Sequence, residues 1–234
     1  MTGTGTLINV GTVLLGTVIG VLVGHRLPEG IQQRVLMGLG MVTLVLGIDG
    51  ALAWDDTNPI IVMGAVLLGG ITGEVIGIER RLGQLGDYLQ CRFSGAGHSR
   101  ISEGFVTASL LFCVGPLTVV GSIQDGLTGD YSQLGAKALL DGFASIAFAA
   151  TLGWGVGLAA ITVLIVQGGI TLGAAPLDSV LGEGTEALAA LESAGGILII
   201  GISLKLLELR DVKVGNYLPA LLFAPCIVGI VSLF

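Results

Sequence analysis

The sequence predicts an all-α integral membrane protein of about eight transmembrane helices, and three observations carry that prediction. Of its 234 residues, 53% are hydrophobic and only 12% charged, about half the charge of a soluble domain, and the mean hydropathy is +0.93. Glycine, at 40 residues, falls inside the apolar runs rather than between them, as in membrane helices whose backbones approach closely. The connections between the runs alternate between basic and acidic, a pattern that eight crossings explain and seven do not.

A membrane-crossing helix takes about 20 mostly apolar residues. The first candidate, residues 6–24, has no basic stretch before it and no small-residue cleavage pattern after it. It therefore reads as a first span and not a removed signal. The second and third are residues 35–53 and 59–78, the latter opened by Asn58-Pro59. The fourth, residues 101–121, contains Gly115-Pro116. The fifth and sixth, residues 138–152 and 155–172, are separated only by an uncharged Gly-Trp-Gly turn, so a shallow re-entrant pair is an alternative to two full spans. The seventh and eighth are residues 187–207 and 217–233. All eight form one polytopic domain over residues 1–234.

Arg26 and Arg34 mark the first connection, Arg80, Arg81, Arg92 and Arg100 the third, and Lys205, Arg210 and Lys213 the seventh. The intervening connections carry Asp55-Asp56, Asp125 to Asp130, and Asp178 to Glu186, with Lys137 the one basic residue near them. Basic loops prefer the cytoplasm, so both termini are expected outside. The longest connection, residues 79–100, starts with Leu82, Leu85 and Leu89 at helical spacing. It is expected to lie along the cytoplasmic interface as a short amphipathic helix.

Two spans share a pentad: Glu103-Gly104-Phe105-Val106-Thr107 opens the fourth, and Asp141-Gly142-Phe143-Ala144-Ser145 is expected to open the fifth. A weaker echo links Leu44-Val45-Leu46-Gly47-Ile48 with Leu198-Ile199-Ile200-Gly201-Ile202. Both pairs run in opposite directions, as inverted repeats do, although their order is not a simple tandem.

Polar groups at membrane depth need a reason. The densest cluster follows Cys113 and includes Gly115, Pro116, Ser122, Gln124 and Asp125. Pro116 removes a backbone donor and clashes with the carbonyl of Phe112. The ordinary reading is a packing kink. The functional one is a broken helix whose exposed backbone groups, with those side chains, bind an ion or solute. Glu103 and Asp141 are either helix-start carboxylates favoured by the dipole or a pair from opposite faces that binds a coupling cation or proton. Asp49 and Glu74 can snorkel to the interface. Asn9, Gln167 and Glu192 read as bridges between helices. Gly16, Gly20 and Gly24 form one small-residue stripe, and Gly69, Gly73 and Gly77 another, for packing within the chain or between copies.

No nucleophile–base set, metal-ligand cluster or phosphate loop is readable, so neither an enzyme, a cofactor nor a metal is expected. The acidic balance, net charge −7, argues against a nucleic-acid partner.

The run from Glu103 through Gly115-Pro116 and Gly121-Ser122-Ile123-Gln124-Asp125-Gly126-Leu127 to Asp141-Gly142-Phe143-Ala144-Ser145 resembles the bacterial YdfK/YqgA-type membrane proteins, grouped as domain of unknown function 554. Gly73-Glu74, Gly77-Ile78-Glu79 and Gly195-Gly196-Ile197-Leu198 fit the same pattern. The resemblance implies a multi-spanning protein of the bacterial inner membrane. It supplies no substrate and no site residues. The expected function is a small secondary transporter of a small solute or ion, acting as a homodimer. An ion channel and a non-transporting scaffold or regulator are the alternatives.

Overall fold

The computed structural model describes residues 2–81, 84, 101–113 and 116–232. Ten α-helices are used below: α1 (Thr4–Gly24), α2 (Glu29–Ala51), α3 (Pro59–Ile76), α4 (Ile101–Cys113), α5 (Pro116–Thr128), α6 (Ser132–Leu152), α7 (Gly155–Leu172), α8 (Ala174–Leu181), α9 (Glu186–Leu206) and α10 (Ala220–Val231). Short 3-10 turns, Leu52–Asp56 and Val214–Tyr217, follow α2 and precede α10. No strand occurs among the described residues. Seven of the helical segments are long and apolar enough to cross a membrane, and α4 with α5 makes an eighth if the bent pair counts as one span. The expected interfacial helix in residues 79–100 falls mostly outside the described residues, as does Gly115.

Local chemistry sets the ends of several elements. Asn58 accepts the Ile60 N–H at 3.0 Å and Pro59 opens α3, where its missing donor is harmless. Thr185 accepts the Leu188 N–H at 3.3 Å to start α9. Gly77 adopts φ 72° and stops α3. That is a terminating role, not the packing role expected from its place in the glycine stripe. Asp130 accepts the Ser132 N–H at 3.0 Å and the Ser132 hydroxyl at 2.5 Å. These bonds hold its carboxyl below the usual range and start α6 at Ser132. The fifth span was expected from residue 138. Gln133 and Lys137 lower the hydropathy of the first turns and hide the true start.

That shift moves Asp141 from a helix start to the interior, about two and a half turns beyond Ser132 at 3.6 residues per turn. Glu103, by contrast, is in the first turn of α4. The two matching pentads therefore do not occupy equivalent positions. The segments of the weaker echo lie against each other, with Gly47 on Ile200. The fifth and sixth spans are full helices of 21 and 18 residues, and the break falls in the fourth.

Glycine fixes the packing. Gly16, Gly20 and Gly24 of α1 meet Gly142, Ile146 and Ala150 of α6 in register, so the two helices run parallel. A Cβ at Gly20 would fall 2.8 Å from that of Ala149. The first stripe is thus an intramolecular seam. Gly69 and Gly73 seat α3 against Ala220 and Asn216, antiparallel to α10. Gly196 of α9 meets Gly50 and Ala51 of α2, and Ser193 donates to the Ala51 carbonyl at 3.0 Å.

The bent pair crosses and does not turn back. Gly104 packs on Leu152 and Val156, the Ser109 hydroxyl donates to Thr162 at 3.0 Å, and Gly126 packs on Thr171. The two halves, bent by 59°, therefore follow α7 from its start to its end. With these directions, Arg26, Arg34, Arg80, Arg81, Lys205, Arg210 and Lys213 gather at one end of the bundle. Asp55, Asp56, Asp130, Asp178, Glu183 and Glu186 gather at the other.

Gly20→Leu should lower folding stability by about 1–3 kcal/mol, the range for overpacking, because α1 cannot back away from α6. Gly11→Leu, where a Cβ meets nothing within 4 Å, should be tolerated. Thermal unfolding of both variants in detergent, followed by size-exclusion monodispersity, checks the contrast.

Candidate functional site

The break in the fourth span is the centre of the polar interior. α4 ends at Cys113 and α5 begins at Pro116. The orphan carbonyl of Phe112 is recovered across the gap by the Thr118 hydroxyl at 3.0 Å. Thr118 itself has no exposed surface. The end of α4 carries the negative pole of its dipole, and a cation is placed there: the Lys137 ammonium lies 6.0 Å from the centroid of the Phe112 ring.

Lys137 and Asp141 form a salt bridge along α6. Both are buried, 6% and 7% exposed. The Asn9 amide of α1 donates to the same Asp141 oxygen at 2.8 Å, and Ser145 donates to the Asp141 backbone carbonyl at 2.7 Å. Cys113 is within coulombic reach of both charges. The pair is not placed for helix stability: Lys precedes Asp, the less favourable order for a four-residue spacing. Buried ion pairs contribute little net stability.

A second polar group lies nearer the acidic end. Thr118, Ser122 and Asp125 share one face of α5 and have no exposed surface. Asp125 accepts the Gly5 N–H of α1 at 3.2 Å, one of the unpaired amides of that helix start. Its other oxygen has no partner among the described residues, and neither do the hydroxyls of Thr6, Ser122 and Thr171. Both side-chain polar atoms of Gln167 are likewise unpartnered. Gln124 faces the acidic connection, donating weakly to Asp130 at 3.4 Å.

Glu103 is elsewhere. It sits beside Gly104, level with Leu152, eleven residues and about 16 Å along α6 from Asp141 at ~1.5 Å per residue. The structure does not bring these two carboxylates into one site. Lys137 takes the place of the expected partner. Its spacing from Asp141, four residues within one helix, was the available signal. It was obscured because Lys137 read as part of an outer connection.

Two cavities flank the break. One, of about 470 Å³, is almost wholly apolar and lies among α4, α7, α9 and α10, with Cys113, Ser109, Thr162 and Glu192 as its polar edge. The other, of about 480 Å³, opens at the acidic end between Asp56, Glu183 and Thr185. Glu192 borders both and makes no hydrogen bond or ion pair among the described residues. Asp141 lines neither; it is packed between α1 and α6. No three His, Cys, Asp or Glu side chains among the described residues are grouped to hold a metal.

At the basic end, Asn216 joins the last connection to the third span. Its amide donates to Glu74 at 2.5 Å and its carbonyl accepts the Glu79 N–H at 2.8 Å. Glu79 in turn accepts the Gly215 N–H at 2.8 Å. These contacts read as a structural latch.

No solved structure matches the chain. The uncharacterized membrane protein YdfK of Bacillus subtilis (strain 168) is 32% identical over 232 residues, covering 98% of this chain and 97% of the relative. The uncharacterized protein YqgA of Escherichia coli (strain K12) is 32% identical over 227 residues, covering 94% of each. The profile of the family described as a protein of unknown function, DUF554, matches residues 4–229. The chain is a multi-spanning membrane protein of that DUF554 family.

Proposed function

We propose that the protein is a small secondary transporter that moves a small solute or ion through the bacterial inner membrane. The observation that carries this reading is the buried Lys137–Asp141 pair at the joint of a broken span. Broken spans supply backbone ends and a place to bend. A charge pair beside the joint supplies an element with two arrangements, closed on itself or opened onto a cation or proton. The apolar cavity that reaches Cys113 is of the size that encloses a small solute. Asp125 and Ser122, buried on α5, and Gln124 beside them lie between the break and the acidic end. Pro116 opens α5 at the joint, and Glu103 guards the far end of α4.

The segregation of seven basic side chains to one end supports a cytoplasmic placement of that end, with both termini outside. A second copy would complete a protected path, since eight short spans enclose little volume. The closed charge pair favours gated exchange over an open channel.

Two measurements test this. Breaking the pair with Lys137→Met or Asp141→Asn alone should cost about 3–5 kcal/mol by leaving one buried charge unpaired, whereas the double variant should return close to wild-type stability. Denaturation in detergent reads this directly. Proteoliposomes loaded with a pH dye or a sodium-sensitive dye are then challenged with sodium, potassium, amino-acid, organic-amine and organic-acid gradients. The wild type should show saturable flux for at least one, and the folded double variant none. Flux unchanged in the double variant refutes the site. Unitary conductance in planar bilayers would mark a channel, and no flux above empty liposomes a scaffold.

A further inference from the structure

We infer that the buried polar face of α5, where it meets α1 and α7 near the acidic end, binds one dehydrated sodium ion through the free oxygen of Asp125. Three hydroxyls, those of Ser122, Thr6 and Thr171, complete the set.

The argument begins with an account of the carboxylate. Asp125 has no exposed surface. The start of α1 explains one of its oxygens, through Gly5, and leaves the other without a partner. A buried carboxylate half-satisfied at membrane depth requires a cation or a proton. Lys137 is not that cation, because its ammonium is engaged by Asp141.

Neighbouring contacts orient this face of α5. Gly121 of α5 packs on Gln133 and Leu134 of α6, and Gly126 packs on Thr171 of α7 and Ala174. At 100° per residue, Ser122 and Asp125 point into the angle between those two contacts. The hydrogen bond from Gly5 anchors the start of α1 at Asp125, with Thr6 the next residue along that helix. Thr6, Ser122 and Thr171 are 2%, 0% and 5% exposed, and none of their hydroxyls has a partner among the described residues. A cap for α1 would need the Asp125 carboxylate. It would not need three buried hydroxyls from three helices, all unpaired.

The donor chemistry selects the ion. The set is all oxygen, which suits a hard cation. One carboxylate among neutral hydroxyls balances a single positive charge. Calcium sites gather several carboxylates, and magnesium retains its water. The close, unexposed surroundings favour the smaller alkali ion.

This site deepens the transporter reading by naming the coupling ion, yet binding can be measured without flux. Purified full-length protein in detergent is titrated with ²²Na⁺ in choline chloride at constant ionic strength. Saturable binding to a single site is expected, displaced by unlabelled sodium and not by choline. Asp125→Asn should abolish it. Ser122→Ala and Thr6→Val should each weaken it about tenfold, as loss of one charge-assisted contact does. Absence of saturable ²²Na⁺ binding overturns the inference, as does binding that Ser122→Ala and Thr6→Val leave unchanged. Those two variants decide the matter if Asp125→Asn does not fold. Sodium binding without sodium-dependent flux would retain this site and remove the transport reading.

Discussion

A charge buried in a membrane must be matched inside the protein, and the core of this bundle is arranged around one such match. Lys137 and Asp141 are held together along α6, and Asn9 of α1 completes the coordination of the shared oxygen. That third contact requires α1 and α6 to lie backbone to backbone. Gly16, Gly20 and Gly24 make the approach possible, because any side chain there would collide with the α6 backbone. The glycine seam and the ion pair are therefore two parts of one construction: the first sets the distance and the second occupies it.

The broken fourth span follows from the same constraint. Proline at residue 116 cannot continue the hydrogen-bond ladder of α4. The freed carbonyl at Phe112 must find a donor within the protein, since lipid offers none. Thr118 supplies it from the far side of the break, and the ammonium of Lys137 stands over the neighbouring ring. The fold thus gathers a helix break, a helix end and a charge pair at one place. α7 runs alongside both halves and keeps the span crossing despite its bend.

Much of this was legible in the sequence, because hydropathy and charge act over whole segments. Eight crossings, the alternating ends and the break at Pro116 all follow from features many residues long or from one unambiguous residue. What was obscured depends on single side chains. Asp141 read as a helix start because Gln133 and Lys137 dilute the hydropathy of the first turns of α6. The bonds from Ser132 to Asp130 mark the true start. Its partner read as Glu103 because two pentads match, although the match is one of residue type and not of depth. The unpaired hydroxyls around Asp125 could not be found from spacing, since they come from three separate helices. Gly77 shares the spacing of a packing stripe and serves instead to end a helix.

The central claim is that the joint beside Lys137 and Asp141 opens to one side of the membrane at a time. Cys113, half-buried at the edge of the apolar cavity, is a native reporter of that event. With Cys91 and Cys226 replaced by Ser, a membrane-impermeant maleimide should reach Cys113 from one side only. Imposing a sodium gradient should change that rate several-fold, and Lys137→Met with Asp141→Asn should remove the response. Equal labelling from both sides, or a rate indifferent to both the gradient and the double substitution, would contradict the account.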